Sequence, residues 1–187
     1  DDVVVCADGG AHYAFQLKIT PDLILGDLDS ISNEIINYYK NQEVNFDKFP
    51  VEKDKTDFEL LLERLVNQEY EEIIIFAALG KRFDHSLGNL YLLEKLYYPH
   101  TIIKLVTARE TIQIIKDKKI IKNKNNKTIS FLPLSATVNG VSLSGFKYEL
   151  KNQKFKRGTT LGISNIIKSD QATISIDSGT MLMINNH

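Results

Sequence analysis

Residues 22–31 read DLILGDLDSI: an apolar run ends in a glycine, and two carboxylates follow two residues apart. This is the grammar of a buried parallel strand whose carboxyl end opens into a ligand-bearing loop. Alternate residues of an extended strand share a face, so Asp27 and Asp29 are expected to project together from the end of a strand over 23–25. Adjacent carboxylates repel each other unless a cation or strong donors compensate, and oxygen ligands of this kind suit magnesium better than zinc. The competing reading is an ordinary solvated turn in which Asp29 or Ser30 caps the following helix.

Outward from this stretch, the flanking segments repeat one pattern. Upstream, the apolar run 3–7 closes on Asp8, Gly9 and Gly10, which reads as a buried parallel strand feeding a helix over 11–17. Pro21 ends that helix region, and downstream the spacing predicts a helix over 33–39 and a strand over 44–49. In VEKDKTDFELLLERLV, residues 51–66, Thr56 is an N-cap with Glu59 three positions on, and Phe58, Leu61, Leu62 and Leu65 recur at helical spacing. Asp54 and Asp57 therefore sit at a helix amino-terminus. Two readings stand: they complement the helix dipole, or they join Asp27 and Asp29, because an open parallel sheet gathers its strand-end loops along one edge.

The run EEIIIFAAL, 71–79, reads as the clearest buried strand, and it leads through GKRFDHSLGN, 80–89, into a helix over 87–96. A loop with a glycine, two cations and an aspartate suits polyphosphate, and the Arg82 fork can make bidentate contacts that Lys81 cannot. His85 and Asn89 lie one helical turn apart and would face one cleft; the plainer reading bonds His85 to nearby backbone. Strands are expected over 102–106 and 111–115, the second an antiparallel edge.

Composition separates the two parts of the chain. Overall the 187 residues carry a net charge of −1, yet residues 1–115 are net −9 and residues 116–187 net +8. Much of the basic excess is one segment, 116–127, with six lysines and three asparagines and no interleaved aromatic ring. It reads as a solvated linker or hairpin and not as a nucleic-acid stacking surface. Beyond it, short strand-like runs at 128–132, 136–141, 147–150, 162–167, 172–176 and 181–184 alternate with turn signals such as Asn139-Gly140 and Ser178-Gly179. The expected architecture is thus an α/β domain, 1–118, with a doubly wound, mostly parallel sheet, followed by a small all-β sandwich, 119–187. Hydrophobic residues make up 43%, enough for a proper core, and a single cysteine, Cys6, excludes an internal disulfide framework. No apolar segment approaches the roughly 20 residues needed to span a bilayer. A cytoplasmic protein without nucleic-acid or membrane partners is the expectation.

Six motifs occur in one order along nearly the whole chain: ADGGA (7–11), PDLILGDLDSI (21–31), DKTDFE (54–59), GKRFDHSLGN (80–89), GFKYEL (145–150) and GISN (162–165). In this set and spacing the chain resembles the thiamine pyrophosphokinase family. The resemblance implies an enzyme that transfers the pyrophosphoryl group of ATP to the hydroxyl of thiamine, giving thiamine diphosphate and AMP with magnesium. It also implies a homodimer with thiamine bound between subunits. Carried over by position, the family's metal-binding acids fall on Asp27, Asp29 and Asp57, with Asp54 a neighbour. Asp8, Gly9 and Gly10 would approach the nucleotide, and Arg82, Asp84, His85 and Asn89 would line the polyphosphate region. Ser164 and Asn165 would meet thiamine. The family pattern also places a strand and a glycine-bearing loop ahead of the counterpart of Asp2, so such a segment is expected before the first residue here.

The residues themselves support phosphoryl-type chemistry, which needs charge neutralisation and in-line positioning more than covalent help. No GxxxxGK[ST] loop occurs, and neither Cys6 nor any serine sits in a nucleophile elbow. Two rivals remain: a haloacid-dehalogenase-like phosphatase, which would need a downstream acidic motif that the chain lacks, and a non-catalytic nucleotide or thiamine sensor.

Overall fold

Parallel pairing organises the first part of the chain. In the computed structural model, which describes residues 2–49, 54–80, 82–122 and 124–187, strands β1 (Val5–Ala7), β2 (Leu23–Gly26) and β3 (Asn45–Lys48) form a three-stranded parallel sheet in sequence order. The crossovers are α1 (Gly10–Gln16) and α2 (Asn33–Lys40), and α3 (Asp57–Val66) follows β3. Cys6, Ala11, Ala14, Ile24, Leu28, Ile31, Ile35, Tyr39 and Val44 form one apolar cluster, so both crossover helices bury their inner face with the strands. Tyr39 is fully buried, and its hydroxyl donates to the Ile19 carbonyl at 2.9 Å, which satisfies its one polar atom. The expected N-cap is present: the Thr56 hydroxyl accepts from the Glu59 amide at 3.2 Å and starts α3.

The coordinates divide into two compact units, Asp1–Gln68 and Glu69–His187. In the second, β4 (Glu72–Phe76) pairs in parallel with β5 (Ile102–Val106) around helix α4 (Phe83–Lys95). Here the outcome differs from a single parallel sheet followed by a separate sandwich. Strand β6 (Glu110–Ile115) follows β5 through a turn in which the Thr107 amide donates to the Glu110 carbonyl and the Thr107 hydroxyl accepts from the amides of Arg109 and Glu110. A connection this short cannot make a parallel crossover, so β6 pairs antiparallel with β5 and carries both parallel strands into the β-rich part. Strand β6 is also internal where an edge was expected: it lies between β5 and β13 (Met181–Asn186).

The remaining strands are β7 (Lys118–Lys122), β8 (Thr128–Pro133), β9 (Thr137–Ser144), β10 (Leu150–Lys156), β11 (Asn165–Ile166) and β12 (Gln171–Ser175). They complete a six-stranded sheet, β11-β8-β13-β6-β5-β4, and a four-stranded sheet, β10-β9-β12-β7. Phe131, Phe146, Phe155, Val138, Leu143, Ile174 and Met181 belong to the core that these two sheets share, with the Phe131 and Phe146 rings edge to face at 5.6 Å. The period-2 alternation read from the sequence is the alternation seen in burial, most clearly in β8.

The apolar run of β4 proved a strand but not a buried one. Ile73 is buried, whereas Ile74 is 48% and Phe76 69% exposed. Among the described residues β4 pairs only with β5 and ends its sheet. Helix α4 starts four residues earlier than its periodicity predicts, at Phe83, because Ser86 closes the preceding loop: its hydroxyl accepts from the Gly80 amide at 3.1 Å and donates to the Arg82 carbonyl at 3.0 Å. No described helix is long and apolar enough to cross a membrane.

Candidate active site

Parallel register sets the acidic site. Ala7 pairs with Leu25, so the chain leaves β1 and β2 at the same sheet edge, with Asp8 after the first and Asp27 one residue past Gly26 after the second. The Asp8 amide donates to the Leu25 carbonyl at 2.8 Å, which holds the two exits together. Gly26, at φ +143°, is what allows this approach: a Cβ there would lie 3.1 Å from the Asp8 Cβ and 3.3 Å from its Cα.

The loop beyond does not continue the strand. Leu28 takes φ +67° and is buried, so residues 27–29 turn, and Asp27 Oδ1 accepts from the Asp29 amide at 3.0 Å. Asp27 and Asp29 are neighbours through this turn and not through strand alternation. One oxygen each of Asp8, Asp27 and Asp57 lie within 4.8 Å of one another, a group that includes Asp8 and leaves out Asp29. Asp57 reaches it from the first turn of α3, which packs on β1 and β2. Asp54 is exposed ahead of that helix and outside the group.

Sequence reasoning missed how the loop is pinned. The Ser30 hydroxyl donates to Asp8 Oδ2 at 2.6 Å, and His12 Nε2 lies 2.9 Å from the Ser30 carbonyl. A Cβ on Gly9 would come within 3.2 Å of the Ser30 oxygen, so that glycine leaves room for the contact, whereas Gly10 begins α1 with only Cys6 nearby. The one available signal was that two acids close two adjacent apolar runs. The Asp29 carboxyl is raised from its ordinary value first by its hydrogen bond to Asp27 and by Asp27's charge, then by desolvation and by smaller repulsion from Asp8 and Asp57.

In the second unit Arg82 caps α4 and Asp84, His85 and Asn89 lie within that helix, while Lys81 lies outside the described residues. The Arg82 fork grips Asp84, Nη2 to Oδ2 at 2.6 Å and Nε to Oδ1 at 3.2 Å, and the His85 amide donates to Asp84 Oδ1 at 2.9 Å. The hydrogen bond from Arg82, with that amide, holds the Asp84 carboxyl down to about 2, and the same pairing raises Arg82. The His85 side chain is exposed, while Asn89 Nδ2 donates to the Ala78 carbonyl at 2.7 Å and ties α4 back to the loop.

Of the two residues predicted in GISN, Ser164 is exposed at φ +56°, its amide donating to the Ser130 hydroxyl at 3.0 Å. Asn165 is 3% exposed, and the structure commits all of its amide: Oδ1 accepts from the Tyr148 amide at 3.0 Å and the Ile166 amide at 2.9 Å, while Nδ2 donates to the Tyr148 carbonyl at 2.8 Å. It therefore clamps the GFKYEL loop to GISN. Residues 145–149 are a bent loop where a strand from 147 was expected; Gly145 at φ +82° turns it, and β10 begins only at Leu150. Tyr148 projects from the clamped loop, 56% exposed, with Lys147 Nζ 5.0 Å from its ring centroid.

Comparison with known proteins gives one consistent finding. Residues 1–105 match a family model described as thiamin pyrophosphokinase, catalytic domain, and residues 111–181 match one described as thiamin pyrophosphokinase, vitamin B1 binding domain. Thiamine pyrophosphokinase of Bacillus subtilis (strain 168) is 33% identical over 179 residues, covering 95% of this chain and 84% of that one. Thiamine pyrophosphokinase 1 of Arabidopsis thaliana is 28% identical, covering 96% and 76%. Among solved structures, that of thiamine pyrophosphokinase from B. subtilis superposes with TM-score 0.89 at 31% identity, covering 100% of this chain and 89% of that one. The thiamin pyrophosphokinase family protein from Enterococcus faecalis superposes with TM-score 0.83 at 28% identity, covering 98% and 87%.

Proposed function

The chain belongs to the thiamine pyrophosphokinase family, and from that premise we propose that its acidic strand-end loops hold magnesium for pyrophosphoryl transfer. The enzyme converts thiamine and ATP to thiamine diphosphate and AMP. That reading replaces the phosphatase and sensor alternatives.

The observation that carries the metal reading is the carboxylate group itself. Three carboxylate oxygens lie within 4.8 Å of one another, and among the described residues the buried Asp8 Oδ1 has no hydrogen-bond partner, so negative charge is gathered in one place. Hard oxygen donors of this kind fit magnesium, with Asp27 and Asp57 as its ligands in a loop set that also contains Asp8 and Asp29. Bound there, the ion would neutralise polyphosphate charge and orient it. The protein's own contribution is positional. Asp84 fixes the Arg82 guanidinium in one plane, so that the fork is pre-organised for an anionic ligand before it arrives. Gly9 and Gly10 keep the β1 exit free of side chains, as close approach of a nucleotide requires. The hydroxyl oxygen of thiamine forms the new bond to the β-phosphorus and gives up its proton to a carboxylate of the cluster or to water, the bond from that phosphorus to the α–β bridging oxygen breaks, and AMP leaves with the electron pair while the β–γ bridge stays intact.

Incubation of thiamine with γ-labelled ATP is expected to yield labelled thiamine diphosphate and AMP in equal amounts, and EDTA is expected to stop the reaction until magnesium is restored. Thiamine monophosphate with ADP would overturn the transfer assignment, and full turnover in EDTA would overturn the magnesium assignment. We assign Ser164, exposed in the sandwich, to the thiamine side, and a homodimer with the acceptor site between subunits, on the family resemblance. Light scattering should then give twice the 21.3 kDa of one chain; a monomer with full activity would remove the interface assignment.

A further inference from the structure

We infer that the cavity at the start of β5 is a second ligand site, one that takes a heteroaromatic phosphate, with the ring edge read by Gln113 and the phosphate held by the lysines that open the segment 116–127.

Register separates this cavity from the site already described. Phe76 pairs with Val106, Val106 with Thr111, Thr111 with Asn185, Asn185 with Ile129 and Ile129 with Asn165. The carboxyl end of β4 and the GISN turn therefore lie at one end of the six-stranded sheet. At the other end β5 begins and β6 finishes, with Ile115 opposite Met181. There the second unit holds a cavity of about 240 Å3 between the end of α4, the start of β5 and the turn from β6 to β7. Neither the Arg82–Asp84 pair nor Ser164 lines it.

Its lining combines three chemistries. Gln113 is 7% exposed, yet among the described residues its carboxamide has no hydrogen-bond partner. A buried amide costs free energy unless something in the cavity completes it. A carboxamide offers a donor and an acceptor side by side, the pattern that pairs with an aminopyrimidine or adenine edge. Tyr97 and Tyr98 supply ring faces, and Ile102 an apolar wall. At the mouth Lys116, Lys118 and Lys119 stand against the one carboxylate of Asp117, and Lys116 Nζ lies 4.3 Å from the centroid of the Tyr97 ring, so cation and ring are already joined. The lysines that composition reads as a solvated linker become the anion half of a site.

Size fixes which part of a ligand enters. The cavity is smaller than the roughly 300–1,000 Å3 of pockets that take a whole drug-sized molecule, so one ring system fits inside and a charged tail stays at the lysines. Two molecules of the pyrophosphoryl transfer carry such a ring and tail, the adenine nucleotide and thiamine diphosphate. No carboxylate of the acidic loops takes part, so the site is independent of the magnesium reading.

The chain has no tryptophan, so Tyr97→Trp puts a single indole at the cavity and keeps a ring under Lys116. Its fluorescence is followed in EDTA, which removes cation-dependent binding at the acidic loops, on adding AMP, thiamine diphosphate or inorganic phosphate. A saturable change below about 1 mM is expected with AMP or with thiamine diphosphate, and whichever binds names the source; inorganic phosphate should bind at least about tenfold more weakly. Adding Gln113→Leu should weaken binding about tenfold, and adding Asp27→Asn less than about twofold. The inference is overturned by no saturable change with either ligand at about 5 mM, by inorganic phosphate binding equally well, by unchanged affinity in Gln113→Leu, or by equal losses in Gln113→Leu and Asp27→Asn. None of these outcomes bears on turnover, which the labelled-ATP experiment decides. Gln113→Leu alone should melt no lower than wild type, because it removes an amide without partners, and a fall of several degrees would make Gln113 structural and overturn its role. If Tyr97→Trp fails to fold by circular dichroism, titration calorimetry of the wild-type chain and Gln113→Leu in EDTA reads the same ratio.

Discussion

Asp27→Asn is expected to lower kcat/KM for thiamine diphosphate formation by about a thousandfold, roughly 4 kcal/mol of lost transition-state stabilisation. Its carboxylate has two duties in the structure. One oxygen belongs to the group with Asp8 and Asp57, and Oδ1 caps the Asp29 amide at 3.0 Å. Asparagine keeps an oxygen for the amide but removes the charge from the cation site, so the loop should persist while ion binding fails. The fold should not suffer. Without a cation the three acids repel one another, and removing one charge relieves that repulsion, so the ion-free melting temperature should stay level or rise. The two readings separate cleanly: a variant that melts several degrees lower and loses activity in proportion would make Asp27 a structural residue, and a variant with near-normal turnover would remove it from the site. Asp57→Asn should behave alike in activity, since its oxygen shares the group, with Thr56 still capping α3.

Asn165→Ala is expected to destabilise the chain by roughly 2–3 kcal/mol, because the amides of Tyr148 and Ile166 and the carbonyl of Tyr148 lose their buried partner at once. Water can recover part of this at the exposed Tyr148 loop, which is why the estimate stays below three full bonds. In a chain of this size that is a fall in melting temperature of roughly 5–10 °C. The GISN resemblance alone would have assigned Asn165 a direct hydrogen bond to thiamine, and its loss would then raise the thiamine KM with stability unchanged. The geometry assigns it the clamp on the GFKYEL loop. Calorimetry distinguishes them: a melting temperature within about 1 °C of wild type, together with a raised KM for thiamine, would return Asn165 to the ligand side.

Elements whose signal is local were legible in the sequence. The N-cap at Thr56, the apolar stripe of α3, the crossover helices α1 and α2 and the short alternating strands beyond residue 120 are all periodicity or cap chemistry within a few residues, and they are found. The acids at the strand ends were legible for the same reason, since an apolar run closing on a carboxylate is visible without knowing its neighbours. The ordered motifs carried the family.

Tertiary structure alone decided how these pieces combine. Asp8 joins Asp27 and Asp57 because β1 and β2 pair in parallel with Ala7 opposite Leu25, and pairing register is a property of two distant segments that neither encodes by itself. The positive φ of Leu28 replaced the strand alternation expected of Asp27 and Asp29, since a buried leucine in a left-handed turn is an unusual choice that burial of its side chain sustains. A tight turn at Thr107 bound β4 and β5 into the sheet of β6, and Ile74 and Phe76 of β4 are exposed where the apolar run predicted burial. Asn165 reads as a polar turn residue, but packing buries it and ties its amide to the backbone of Tyr148, in a loop earlier in the chain, and of Ile166. Chain-local patterns determine which residues form an element and which way it faces; pairing, burial and the company a carboxylate keeps depend on contacts between segments, and only the folded chain brings those segments together.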